Sequence, residues 1–280
     1  MTMMHPSGHH DGWARAQLPP MAEWPVLHLE APYDYPARLN CVTRLLDEAI
    51  AEGAGDRVAV VVPDGAGGWH EVTYATLAAD VDALAHLLTG ELGLVPGNRV
   101  LLRGFNDRWM ATAWLAVMKA GLVAVTTMPL LRATELKVIL ERANCAAALC
   151  DASLLSELTE AARERDVPVH HWGTNAADGL AARSERHRRP FTPCDTASDD
   201  VCLIAFTSGT TGVPKGCMHF HRDVLAMCDG FSAQVLGLRP DDRCIGTPPF
   251  AFTFGLGGLL CFPLAARAST VLLPKATPES

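Results

Sequence analysis

The sequence predicts an α/β fold with largely parallel sheets, and three observations carry that expectation. Short apolar runs alternate with amphipathic helical stretches along most of the chain, as repeated βα units require. Residues 201–206 (VCLIAF) are apolar without interruption, which marks a strand buried on both faces. The composition also permits a large core, with 280 residues, 49% of them hydrophobic and 19% charged.

Residues 1–39 are rich in Pro, His and aromatics, lack periodicity, and read as an extended arm over the domain. Asn40 caps a helix to about residue 52, with Val42, Leu45, Leu46 and Ile50 on one face and Gly53 beyond its end. Strands follow at 57–62 and 69–72 around a glycine turn at 65–68, and Thr73 caps a helix to about residue 88. A strand at 99–103 leads to a helix that begins at Asn106 or Asp107 and ends near Gly121. Strands at 123–126, 146–150 and 167–172 alternate with helices at 134–143 and 153–165. Residues 173–200 break the alternation with a basic run and two prolines, and read as a surface connection. After the strand at 201–206 and a polar loop, the pattern predicts a helix from His219 to about residue 236, stopped by Gly237. Strands at 243–246 and 270–273 complete the series. The expected division is an arm (1–39), a first α/β subdomain (40–190) and the start of a second (191–280).

Charge and cysteine usage narrow the function classes. The net charge is −8, with 31 acidic against 23 basic residues, which argues against nucleic acid as a partner. The nine cysteines form no CxxC pair, and several sit inside apolar runs; they read as reduced core thiols of a cytoplasmic protein, with no metal site expected. The first residues show no basic segment followed by an apolar one, so no signal peptide is expected. Residues 245–266 carry no charge, but Pro248, Pro249 and Pro263 and several glycines interrupt them, so no membrane partner is expected.

Chemistry concentrates in residues 207–216, Thr207-Ser208-Gly209-Thr210-Thr211-Gly212-Val213-Pro214-Lys215-Gly216. Glycines let a backbone turn tightly against a ligand. Hydroxyls and free N–H groups donate to an anion, and Lys215 adds a positive charge. The set suits polyphosphate. It departs from the P-loop, which needs Ser or Thr after Gly-Lys, and this counts against a P-loop NTPase or a kinase. An ordinary Gly/Thr-rich turn in a purely structural domain is the bland alternative.

The segment resembles the phosphate-binding signature of the acyl-adenylate-forming superfamily, the AMP-dependent synthetases and ligases. Two further strings extend the resemblance over about residues 40–280. Residues 118–125 (MKAGLVAV) look like a second, architectural motif of that family. Residues 248–258 (PPFAFTFGLGG) look like its acyl-pocket motif, although alternating aromatics also suit a core strand. On the pocket reading, Phe252, Phe254 and Gly255 meet the substrate, and Phe252 stands where many relatives carry His. His219 and His221 match a short His-containing run of the family; His221 either reaches the nucleotide or simply begins a helix. With residues 127–136 (TMPLLRATEL), the Phe-rich run looks most like 2-aminobenzoate– and benzoate–CoA ligases.

The resemblance implies an N-terminal portion of an adenylate-forming enzyme. Such an enzyme activates a carboxylate, here expected to be an aromatic acid such as benzoate or 2-aminobenzoate, with ATP and Mg²⁺ to an acyl-AMP and passes it to coenzyme A. Thr207, Ser208, Gly209, Thr210, Thr211, Gly212, Lys215 and His221 would hold the nucleotide, with Lys215 neutralising phosphate charge. The family's adenine segment, ribose-binding aspartate and catalytic lysine have no counterpart in these residues, so the chain alone is expected to be inactive. The alternative is a non-catalytic ATP- or acyl-binding module. The acid, the acceptor thiol and the oligomeric state stay open at this level.

Overall fold

The computed structural model describes residues 4–27, 30–174, 176–207 and 214–274. Six strands form the larger sheet: β3 (Arg99–Arg103), β4 (Val123–Thr127), β5 (Cys145–Asp151), β6 (Val169–Trp172), β7 (Val201–Thr207) and β8 (Lys215–Phe220). Their order is β6-β5-β3-β4-β7-β8, parallel throughout except that β8 runs antiparallel to β7. A four-stranded sheet has the order β2-β1-β10-β9, from β1 (Val58–Pro63), β2 (Trp69–Thr73), β9 (Arg243–Ile245) and β10 (Ser269–Val271). The predicted α/β class with two largely parallel sheets is therefore present.

Strand alternation divides the core. Val100, Leu102 and Ala124 face one apolar cluster, and Leu101, Val123 and Val125 face the other. Helices α3 (Tyr74–His86) and α4 (Arg108–Lys119) pack in the first cluster, which also takes Val60, Val72 and Leu272 and so joins the two sheets. Helices α5 (Ala133–Arg142) and α6 (Leu155–Ala162) cover the other face of the larger sheet.

Local signals behave as their chemistry dictates. The Thr73 hydroxyl accepts the Thr76 N–H at 3.1 Å, and the Asp107 carboxylate accepts the Met110 N–H at 2.6 Å, capping α3 and α4. Gly121, just past α4, has φ of +72°. Lys119 of the MKAGLVAV string is buried between Asp47 and Asp82, at 2.6 and 2.5 Å, so that string is architectural here.

Two expectations fail. The subdomain boundary at residue 190 does not divide the sheets: β1 and β2 pair with β9 and β10, whereas β7 and β8 join β3–β6. Sheet membership is a long-range choice that chain order does not dictate. Second, residues 215–220 are strand and not the approach to a helix; α8 (His221–Met227) begins only at His221. Pairing with β7 supplies the backbone partners that local pattern did not reveal. The uncharged run at 245–266 resolves into β9, a loop, and helical segments α9 (Thr253–Leu256) and α10 (Phe262–Ala265) joined by a π-helical stretch (Gly257–Cys261). Among the described residues no helix is long and apolar enough to cross a membrane.

Residues 4–27 lie against the larger sheet's lower end. Arg15 donates to Asp199 and Asp200 at 3.1 and 2.9 Å, and Asp11 accepts from buried Arg99 at 2.5 Å. The arm contains a short helix, Trp13–Ala16.

Candidate functional site

The connection after β3 crosses one face of the sheet through α4, and that after β4 crosses the other through α5. Strand order reverses there, and in open α/β sheets ligands bind beyond the carboxyl ends of strands at such a point. A cleft of about 320 Å³ opens at this place. Its floor is Thr126 and Thr127 at the end of β4 with Phe206 and Thr207 at the end of β7. Met128, Leu131, Glu135 and Ile139 form one wall; Ala251, Phe252 and Pro214 close the other side.

Three buried contacts hold this shape. Thr126 Oγ1 donates to the Ala251 carbonyl at 3.2 Å. Asn106 grips the proline-rich loop twice, its amide donating to Pro248 O at 2.8 Å and its carbonyl accepting from Phe250 N at 2.9 Å. Arg103, at the end of β3, donates to the carbonyls of Met128, Pro129 and Leu131 at 3.1, 2.9 and 2.8 Å. It makes no ion pair with any described residue, and burial pulls its pKa down. Arg103 and Asn106 escape sequence reasoning because both act on backbone carbonyls and amides, which have no residue-type signature. The only hint for Arg103 is a charge ending an apolar strand.

Asp107, beside Asn106, is half-buried. Desolvation pushes its carboxyl up to about 6, against hydrogen bonds from Met110 N and from Trp172 Nε1, the latter at 3.3 Å.

The structure brings several sequence-predicted residues together. Thr207 and Lys215 are register partners across β7 and β8, both exposed, so the intervening loop begins and ends at the cleft's rim. Ser208, Gly209, Thr210, Thr211 and Gly212 lie outside the described residues. Lys215 makes no ion pair with any described residue. Phe252 lines the cleft and is 43% exposed; Phe254, at 75%, stands outside its lining. Gly255 is buried with its α-carbon against the Pro248 and Pro249 carbonyls, so the space a Cβ would need is filled by the chain itself.

His221 is not with them. It sits just past the opposite end of β8 from Lys215, six residues and roughly 20 Å along the strand direction. There it is fully buried, with Nδ1 accepting from Cys41 N at 3.2 Å, and burial drives its pKa down to about 3. The reading of His221 as a nucleotide contact is corrected in favour of a core residue that opens a helix.

Fold and site thus define an α/β protein with a ligand cleft at a strand-order reversal, flanked by a Gly/Thr/Lys loop. The chain belongs to the AMP-binding enzyme family, whose profile matches residues 47–280. Among characterised relatives, it is 29% identical to a benzoate–CoA ligase of Thauera aromatica over 85% of this chain and 45% of that protein. It is 32% identical to an anthranilate–CoA ligase of Pseudomonas aeruginosa over 64% of this chain and 35% of that one. Of solved structures, an anthranilate CoA ligase in complex with anthranoyl-AMP superimposes with a TM-score of 0.79 at 26% identity, covering 87% of this chain and 46% of that one. The chain spans less than half the length of these relatives.

Proposed function

We propose that this chain supplies the carboxylate cleft and phosphate loop of an AMP-forming acid–CoA ligase acting on an aromatic acid such as benzoate or 2-aminobenzoate. The observation that carries the reading is one continuous cleft running from Phe252 to Thr207 and Pro214, placing the aromatic motif beside the phosphate loop. At about 320 Å³ it lies at the small end of ligand pockets, about 300–1,000 Å³, which suits a single-ring acid.

In the first step the substrate carboxylate attacks the α-phosphorus of ATP and pyrophosphate leaves; in the second a coenzyme A thiol displaces AMP from the acyl-adenylate. Phosphoryl transfer needs positioning and charge neutralisation more than a protein nucleophile. Thr207 with Ser208, Gly209, Thr210, Thr211 and Gly212 would hold the departing phosphates, and unpaired, exposed Lys215 would balance their charge. Mg²⁺ would share that neutralisation. Phe252 with Leu131 and Ile139 would enclose the ring, and Asn106 and Arg103 keep both walls in place. Phe254 and Gly255 would border the acid from the same loop. Nine cysteines, all free, fit a reducing cytoplasmic setting.

The test is carboxylate-dependent ATP–pyrophosphate exchange by the protein its gene encodes, with benzoate and 2-aminobenzoate, followed by thioester formation with coenzyme A. Exchange without thioester would move the acceptor away from coenzyme A. Binding of ATP with no exchange for any aryl acid would leave a non-catalytic module and sink the ligase reading.

A further inference from the structure

Both walls of the cleft are irregular chain, outside any strand or helix. One is the connection between β4 and α5, residues 128–132; the other is the stretch after β9, residues 246–252. Each is held from the same short piece of chain, the junction of β3 and α4. Arg103, the last residue of β3, donates to the carbonyls of Met128, Pro129 and Leu131 at 3.1, 2.9 and 2.8 Å. Asn106 takes the opposite wall, donating to Pro248 O at 2.8 Å and accepting from Phe250 N at 2.9 Å. Only Gly104 and Phe105 separate the two along the chain.

The junction has little freedom of its own. β3 runs between β4 and β5, and Asp107 caps α4 through Met110 N. Gly104 lies so near Trp172 that an added Cβ would come within 2.5 Å of the indole. Stability alone does not account for Arg103. It is 1% exposed, makes no ion pair with any described residue, and its Nε has no hydrogen-bond partner among them. Burying a guanidinium without a carboxylate is unfavourable, and a well-packed apolar side chain would avoid that penalty. What the guanidinium supplies is geometry: a rigid planar fork that fixes three carbonyls at once. Arg103 and Asn106 both bind main-chain groups of the walls, so they set wall position whatever side chains face the ligand.

We propose that Arg103 and Asn106 form a bracket that fixes the separation of the cleft's walls and thereby sets the size of ring the cleft accepts. The inference rests on the ligase reading and adds its specificity determinant. Leu131 carries one of the gripped carbonyls and lines the cleft. Phe252 lines the other side, two residues past the gripped Phe250, its N–H donating to Pro249 O at 3.1 Å. The two apolar surfaces that would sandwich the ring therefore hang from one strand end. Arg103 and Asn106 themselves do not line the cleft, so they act as positioning residues. A small change in wall separation alters the fit of added methylenes, each of which discriminates by about 10–200-fold in an apolar pocket.

The test compares ATP–pyrophosphate exchange with benzoate and with 4-ethylbenzoate, in the protein its gene encodes and in its Asn106→Ala and Arg103→Met variants. Either substitution should raise KM for the acid, leave KM for ATP within about twofold, and cut the kcat/KM preference for benzoate by about tenfold. A merely structural lesion lowers kcat for both acids alike and leaves the preference where it was; that result overturns the proposal, as does a parent that takes both acids equally. Arg103→Lys, which keeps the charge without the fork, should move the preference in the same direction as Arg103→Met. Should Asn106→Ala fail to fold, Asn106→Ser replaces it, because a seryl hydroxyl cannot span both backbone groups. A parent that exchanges with no aryl acid sinks the ligase reading, and amide hydrogen exchange then decides the bracket. The Phe250 N–H should exchange at least about tenfold faster in the Asn106 variant while the amides of β3 keep their protection. An unchanged rate at Phe250 refutes the bracket.

Discussion

Lys215 and Asp107 carry charge in opposite circumstances, and each makes its own prediction. Lys215 is exposed at the end of β8, so Lys215→Ala removes a cation without disturbing packing. On the proposed ligase reading it should lower kcat/KM for pyrophosphate exchange by about 10²–10³, in the range for losing one charge-stabilising group, with an unchanged Tm. A variant of full activity would remove Lys215 from the phosphate site. Asp107 is half-buried, and desolvation raises its carboxyl to about 6. A raised folded pKa means that stability is greatest below about pH 4 for this group and is lost as pH climbs through about 6. Asparagine can keep the cap on Met110 N without the charge. Asp107→Asn should therefore gain stability relative to the parent between pH 4 and 7, by up to about 3 kcal/mol. Parallel urea midpoints across that range would contradict the assignment. The proposed role of Lys215 comes from the sequence, where a cation in a Gly/Thr loop has one obvious use. His221 was misplaced because the sequence shows its neighbour in the chain, not Cys41, its neighbour in space.

At the scale of elements, caps and buried strands were readable because their determinants are local. Thr73, Asp107 and Gly121 each stand where a side chain or a positive φ is needed. Gly121 is the sharpest case. At φ +72°, an added Cβ would also come within 2.6 Å of the Cys194 sulfur. Gly121→Ala should lower the unfolding free energy by about 1–3 kcal/mol, from left-handed strain and overpacking, read as a lower urea midpoint at constant slope. A neutral result would mean that the end of α4 relaxes freely. Strand β8 was not readable. Its sequence, KGCMHF, lacks apolar alternation and has one strong β-former, Phe220, and it is a strand because β7 offers it an edge. The same edge turns the predicted strand-to-helix loop into a hairpin connection, which returns Lys215 to face Thr207.

For the whole molecule, chain order and spatial order diverge. β1 takes parallel partners from β10, with Val60 opposite Thr270, although more than half the chain separates them. β4 likewise pairs with β7, with Val125 opposite Ile204. A cut at residue 190 would strip β4 of one neighbour and β1 of another. It would also open the cluster in which Val60, Trp114, Cys202 and Leu272 share one core. An isolated piece comprising residues 40–190 is thus expected to lack a cooperative urea transition and a near-ultraviolet circular dichroism signal, while residues 1–280 show both. Exposed parallel edges and an open apolar face should make that piece aggregate. If it instead unfolded as a single stable unit, the pairing of β1 with β10 and of β4 with β7 would be dispensable. The cleft between β4, β7 and the 248–252 loop would then be a junction of two independent bodies, free to open and close. Interleaving argues for the opposite: Leu131 and Ile139 on one side pack with one apolar cluster, Phe250 beside Phe252 on the other packs with the second, and the larger sheet carries both clusters on its two faces.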